Sequence, residues 1–186
     1  MYRDKTLTTY LNDLAAKLPA PGGGSAAALT SSLGAGLISM VVAFTLGKPR
    51  YAKYEKELRE ALSESEKLRD KLLELVDLDV QAYQSKNARD SLNVPLMTAR
   101  LSFEGAKLCP QLVKKGNINL ISDVAVAIQL LEAGFAAASA NVEINLKGSA
   151  DKKTASAMRK ELKSKSRIIK RLRAQTEERV GEIIGR

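Results

Sequence analysis

The alternation of apolar and polar positions keeps the helical period along almost the whole chain. Leu7, Leu11, Leu14, Ala15 and Leu18 recur at helical spacing, and Pro19 with the glycines that follow stops this first helix. Ser25 is placed to cap a second helix running to about Gly47, where Gly47-Lys48-Pro49 makes the next break. A third is predicted from about Arg50 to the neighbourhood of Lys86, with Leu58, Leu62, Leu68, Leu72, Leu75 and Val76 on its apolar side. Pro95 is read as opening a fourth helix at its first turn, Pro110 as kinking it and Gly116 as ending it. The fifth runs from about Asn119 to Leu146. Past Asp151, Ala155, Met158, Leu162, Ile169, Leu172 and Val180 carry the period to the C-terminus. No alternating strand pattern, internal repeat or low-complexity linker interrupts it. The pattern predicts one all-α domain over residues 1–186, a bundle of about six helices.

The second helix is unusual because no charged residue occurs between Lys17 and Lys48. Residues 25–47 are long enough to cross a bilayer. Their Ser, Thr, Gly and Ala content argues for a buried central helix, as do Asp123, Glu132, Asn141, Glu143 and Asn145 on the other long apolar helix. One face, Ser25, Ala28, Ser32, Ala35, Gly36, Ser39 and Ala43, is small enough for another backbone to approach closely. At its start, Gly22, Gly23 and Gly24 leave helix N-terminal N–H groups toward open space, where an anion or polar ligand group fits. These glycines match no dinucleotide fingerprint, and Gly47-Lys48 is no P-loop because Pro49 follows.

On the fifth helix, Asp123, Ala127, Leu130, Gly134, Ala137, Asn141 and Asn145 fall along one side. Two readings are open: the line edges a cleft, or Asp123 caps the helix while the asparagines hold neighbouring backbone groups. Asp79, one turn before Tyr83, leaves the same choice.

Composition narrows the chemistry. There is no histidine, which excludes serine–histidine triads, histidine-ligated metals and imidazole acid–base catalysis. Proton transfers are left to Asp, Glu, Lys, Tyr, Cys109 or water. The single cysteine cannot form an internal disulfide, and Met1-Tyr2-Arg3-Asp4-Lys5 lacks the apolar core of a signal peptide, so a cytoplasmic location is expected. The net charge of +9 is concentrated at the end: from Lys147 onward there are 13 Lys/Arg against 5 Asp/Glu. Such a tail can meet an acidic partner, but no aromatic residues are interleaved for base stacking, and no nucleic-acid partner is expected.

Taken in order, several segments resemble the cyclodeaminase/cyclohydrolase family. They are Leu18-Pro19-Ala20-Pro21-Gly22-Gly23-Gly24-Ser25-Ala26-Ala27-Ala28, Met40 through Thr45 to Gly47-Lys48, Asp79-Val80-Gln81-Ala82-Tyr83, Val94-Pro95-Leu96, Gly116-Asn117-Ile118-Asn119 with Ser122-Asp123, and Asn141-Val142-Glu143-Ile144-Asn145-Leu146. One departure is that only Gln84 to Asn93 separates the Asp79 and Val94-Pro95 elements, where the family usually has more. The resemblance implies an all-helical homodimer that binds a tetrahydrofolate derivative as substrate, with no metal or redox cofactor. It implies first a formiminotetrahydrofolate cyclodeaminase, and alternatively a methenyltetrahydrofolate cyclohydrolase. A non-catalytic folate-binding protein or a basic nucleic-acid-binding protein is the reading from another class. Asp123 is the first acid–base candidate and Asp79 the second. Asn117, Asn141 and Asn145 are expected on the pterin, Lys48 on an oxyanion or the folate carboxylates, and Gly22, Gly23, Gly24, Ser25 and Tyr83 around the substrate.

Overall fold

The computed structural model describes residues 1–148 and 151–185, and among them there are helices and no strand. The long helices are α1 (Leu7–Ala15), α2 (Gly23–Ala43), α3 (Glu55–Ser85), α4 (Ala88–Lys115), α5 (Ile121–Leu146) and α6 (Lys152–Ile184). Short 3-10 turns at Tyr2–Asp4, Pro49–Tyr54 and Ile118–Leu120 precede α1, α3 and α5. The expected all-α bundle of six helices is what forms.

α2 sits at the centre, against α3, α4 and α5. Its small residues make this possible. Ser32 Oγ donates to the Arg69 carbonyl of α3 at 3.0 Å, and Ser39 Oγ lies 2.8 Å from Ser65 Oγ. On another side Ser31 Oγ pairs with Ser102 Oγ of α4 at 2.7 Å. Against α5, a Cβ on Gly134 would collide with Ser31 Oγ, and one on Gly34 would lie 2.8 Å from Leu131 Cγ. Small residues therefore bring the axes close, and each buried hydroxyl is given a partner that offsets its desolvation. Around this seam Ile38, Val41, Val42, Leu72, Ile128 and Leu131 are fully buried, each contributing about 1.5–3 kcal/mol. The small-residue stripe packs within the chain, against α3. α2 still leaves one edge open, where Leu33 and Phe44 are exposed. Residues 23–43 and 118–146 are both long and apolar enough to span a membrane, and over half of the α2 span is buried inside the protein.

α6 lies over α4 and α5, burying Ala155, Leu162, Ile169 and Val180. Part of its positive charge is met there: Arg159 pairs with Glu143, Arg173 with Glu132 and Lys165 with Glu104.

Several boundaries differ from those predicted: α2 stops at Ala43 rather than near Gly47, and a 3-10 turn over Pro49–Tyr54 puts the start of α3 at Glu55. α1 ends at Ala15, so Leu18 is exposed. The cap of α2 is Gly22, and Ser25 lies inside the first turn. α4 begins at Ala88, where Asn87 Oδ1 accepts from Arg89 N at 3.0 Å and from Asp90 N at 3.4 Å. Pro95 and Pro110 are both interior to it. The asparagine cap outweighs the proline as a start signal because it satisfies first-turn amides that a proline merely lacks.

Candidate active site

The first turn of α2 is where most of the candidate residues meet. Gly22 has no side chain to cap the helix, and Ala26 N is the first amide to return to it, at 3.0 Å. Three amides are left over. Ser25 N–H donates to Asp79 Oδ2 at 2.8 Å, while those of Gly23 and Gly24 have no acceptor among the described residues. α3 runs antiparallel to α2 and so delivers Asp79 to this turn. With Asp79 in this position Gly24 has no room for a side chain: a Cβ there would collide with Asp79 Oδ1 and lie 2.6 Å from its Cγ.

The glycines, Asp79 and Tyr83 line a cleft of about 260 Å³ with Ser91 of α4 and Asn141 and Asn145 of α5. Asn141 Nδ2 donates to the Ala137 carbonyl at 3.0 Å and Asn145 Nδ2 to the Ser91 carbonyl at 2.6 Å. Each amide nitrogen spends one of its two hydrogens on a carbonyl, and neither Oδ1 is given a donor among the described residues, so both stay open as acceptors. Among the described residues, Asp79 is the one charged residue in the lining. Burial pushes its carboxyl above the ordinary carboxylate value, and the Ser25 amide pulls the other way with smaller effect.

Behind the cleft lies a residue that sequence reading passed over. Tyr10 is 4% exposed, and its hydroxyl donates to Ser25 Oγ at 3.2 Å. Burial raises its phenol, as does the charge of Asp79, against the pull of the Ser25 bond, so it stays protonated as a donor. It lies one turn after Leu7 on α1, among the residues that carry the helical period. The signal was a hydroxyl where phenylalanine would have filled the same space.

Gly22, Gly23, Gly24, Asp79, Tyr83, Asn141 and Asn145 are thus brought together, with Ser25 directly behind. Asp123, Asn117 and Lys48 are not. Asp123 stands in the first turn of α5, 18 residues before Asn141 and so about 27 Å away along the helix. Asn117 is buried and occupied. Its N–H donates to Thr45 Oγ1 at 2.8 Å, its Nδ2 to the Phe44 carbonyl at 3.4 Å, and its Oδ1 accepts from Asn119 N at 3.2 Å. Lys48 is exposed in the turn after α2. The side shared by Asp123 and Asn141 is real, but a helix five turns long separates its ends.

The profile of the family described as formiminotransferase-cyclodeaminase matches residues 6–89 and 85–164, which include every residue lining this cleft. The chain belongs to that family. It is 36% identical to the methenyltetrahydrofolate cyclohydrolase of Methylorubrum extorquens, over 87% of this chain and 89% of that protein. It is 30% identical to the formimidoyltransferase-cyclodeaminase of Rattus norvegicus over 80% of this chain, but spans only 32% of the rat protein. The solved structure of formiminotetrahydrofolate cyclodeaminase from Thermotoga maritima superposes with a TM-score of 0.83 at 26% identity, covering 98% of this chain and 97% of that one. The departure seen in the sequence is local: α3 ends at Lys86 in the left-handed conformation (φ 54°), and Asn87 at once caps α4.

Proposed function

We propose that this chain is a folate one-carbon enzyme acting on the carbon held between N5 and N10 of tetrahydrofolate, with Asp79 as its acid–base group and no further cofactor. The observation that carries the reading is one partly buried carboxylate, the one charged residue in the described lining, in a cleft that also offers the two asparagine oxygens and the open Gly23 and Gly24 amides. A cationic, N–H-bearing reaction centre suits such a lining, because a low-dielectric wall strengthens its attraction to the carboxylate and acceptors. The raised carboxyl exchanges protons nearer neutrality than a solvated aspartate would. Asp79 takes the acid–base role in place of Asp123, and Asn141 and Asn145 take the pterin contacts.

In the hydrolytic direction, water adds to the methenyl carbon while the Asp79 carboxylate takes one of its protons. The C–N5 bond of the adduct then breaks, N5 receives that proton, and the remaining hydroxyl proton leaves to solvent as the formyl group stays on N10. The relative aligned over most of both chains favours this cyclohydrolase reading. The likeness to the Thermotoga maritima enzyme favours cyclodeamination as the second. There, N10 attacks the carbon of the protonated, cationic formimino group, and Asp79 passes the N10 proton to the departing NH2, which leaves as ammonia, and the methenyl cation remains.

Incubation with 5,10-methenyl- and with 5-formimino-tetrahydrofolate separately, following the methenyl absorbance, tests both. Accelerated loss from the first supports hydrolysis, and appearance from the second supports deamination. Folate binding with neither change overturns the proposal in favour of a non-catalytic relative.

A homodimer is part of the same reading, carried by the exposed Leu33 of α2, Phe44 just past its end and Val126 of α5. Light scattering across a dilution series tests it. A cytoplasmic setting agrees with Cys109, which is fully buried and unpaired.

A further inference from the structure

Val94-Pro95-Leu96 has no part in the chemistry above, yet Pro95 is buried two turns into α4, where proline is least tolerated. Proline has no N–H, so the Ser91 carbonyl four residues earlier has no helical donor, and the ring crowds it out of the ladder. Asn145 fills that position: its Nδ2 donates to the Ser91 oxygen at 2.6 Å, and both residues line the cleft. Asn145 is exposed, is given no second hydrogen bond among the described residues, and lies one residue from the end of α5. The Ser91 bond is what fixes its amide. Pro110 serves as an internal contrast, since it frees the Ala106 carbonyl in the same helix and no side chain donates there among the described bonds.

We propose that Pro95 is a positioning residue: by freeing the Ser91 carbonyl it orients the Asn145 amide, so that Oδ1 faces the substrate. This rests on the one-carbon reading of the cleft. Unlike a residue kept for packing, Pro95 trades helix stability for the aim of a neighbouring side chain, so stability and function respond to its loss in opposite directions.

Pro95→Ala restores an N–H that competes for the Ser91 oxygen. The variant is expected to melt at or above the wild-type temperature, while KM for 5,10-methenyl-tetrahydrofolate rises about three- to tenfold, the scale of one net hydrogen bond, and kcat changes less. Pro110→Ala leaves KM unchanged. Asn145→Ala raises KM like Pro95→Ala, and the double variant is no worse than either. Pro95→Val fills the buried volume should alanine pack poorly. Wild-type KM in Pro95→Ala, or additive effects in the double variant, overturns the proposal. A second readout needs no turnover: the Asn145 side-chain amide protons, followed by NMR, exchange faster in Pro95→Ala than in wild type. Unchanged exchange also overturns it. Altered exchange in a protein that turns over neither folate sinks the one-carbon reading and leaves the positioning role standing.

Discussion

The two ends of α2 are both rich in polar groups, and they do opposite things with them. At the C-terminal end Thr45 Oγ1 donates to the Val41 carbonyl at 2.6 Å and accepts from Asn117 N, while Tyr51 OH accepts from Ile118 N at 3.1 Å. These groups are spent on one another within the chain. At the N-terminal end the amides of Gly23 and Gly24 and the oxygens of Asn141 and Asn145 are left over, around a carboxylate held half out of water. An Asn or Asp is therefore informative about function only once its bonds are counted. A closed set holds the fold, and an open set can hold a ligand.

Exchanging the acids at the two ends tests this contrast most strongly. Asp79→Asn is expected to lower kcat by about 10²- to 10⁴-fold, as loss of a general acid–base does, whereas Asp123→Asn stays within about twofold. Equal losses, measured in parallel assays, would erase the distinction. Next in size is the glycine pair. Gly24→Ala displaces the Asp79 carboxylate and should cost about tenfold or more in kcat, while Gly23→Ala, whose Cβ would meet Asn141 Nδ2 at 3.7 Å, is tolerated. A Gly24→Ala enzyme with wild-type kcat would show that the carboxylate need not sit there.

At the closed end, Asn117→Ala should lower stability by about 1–2 kcal/mol in denaturant unfolding, through lost hydrogen bonds, with kinetics unchanged. A kinetic defect without a stability loss would instead place Asn117 in the chemistry.

The smallest effect is on pH-dependent stability. Burial raises the Asp79 carboxyl in the folded state, so the fold holds that proton more tightly than the unfolded chain does. Its contribution is fully present below the unfolded carboxylate value and is lost as pH rises through the raised folded value. Asp79→Asn, which keeps an acceptor for the Ser25 amide, should abolish this slope and match or exceed wild-type stability at neutral pH. Turnover in the hydrolytic direction runs the other way, rising with pH as the Asp79 base forms.

Much of the fold was legible in the sequence because helical periodicity is a local property. Leu58, Leu68, Leu72, Leu75 and Val76 declared the buried side of α3, and Ala155, Leu162, Ile169 and Val180 that of α6. The start of α4 was misread because a proline was taken for a helix start when an asparagine cap lay upstream. In the site, residue types were legible and their grouping was not. Asp123 and Asn141 share a helix side in any helical projection, which has no length, and the partner of the Tyr10 hydroxyl, Ser25, lies 15 residues away on another helix.

The sequence by itself determined that six helices form, that the chemistry proceeds without histidine, and that a run of glycines opens an uncharged helix. Those follow from periodicity, composition and backbone sterics within a few residues. Only the tertiary structure decided which carboxylate the glycines face. Antiparallel packing of α3 and α5 on α2 carries Asp79, Asn141 and Asn145 to one end of it and leaves Asp123 and Asn117 at the other. That choice depends on contacts between residues far apart in the chain, which no local pattern encodes.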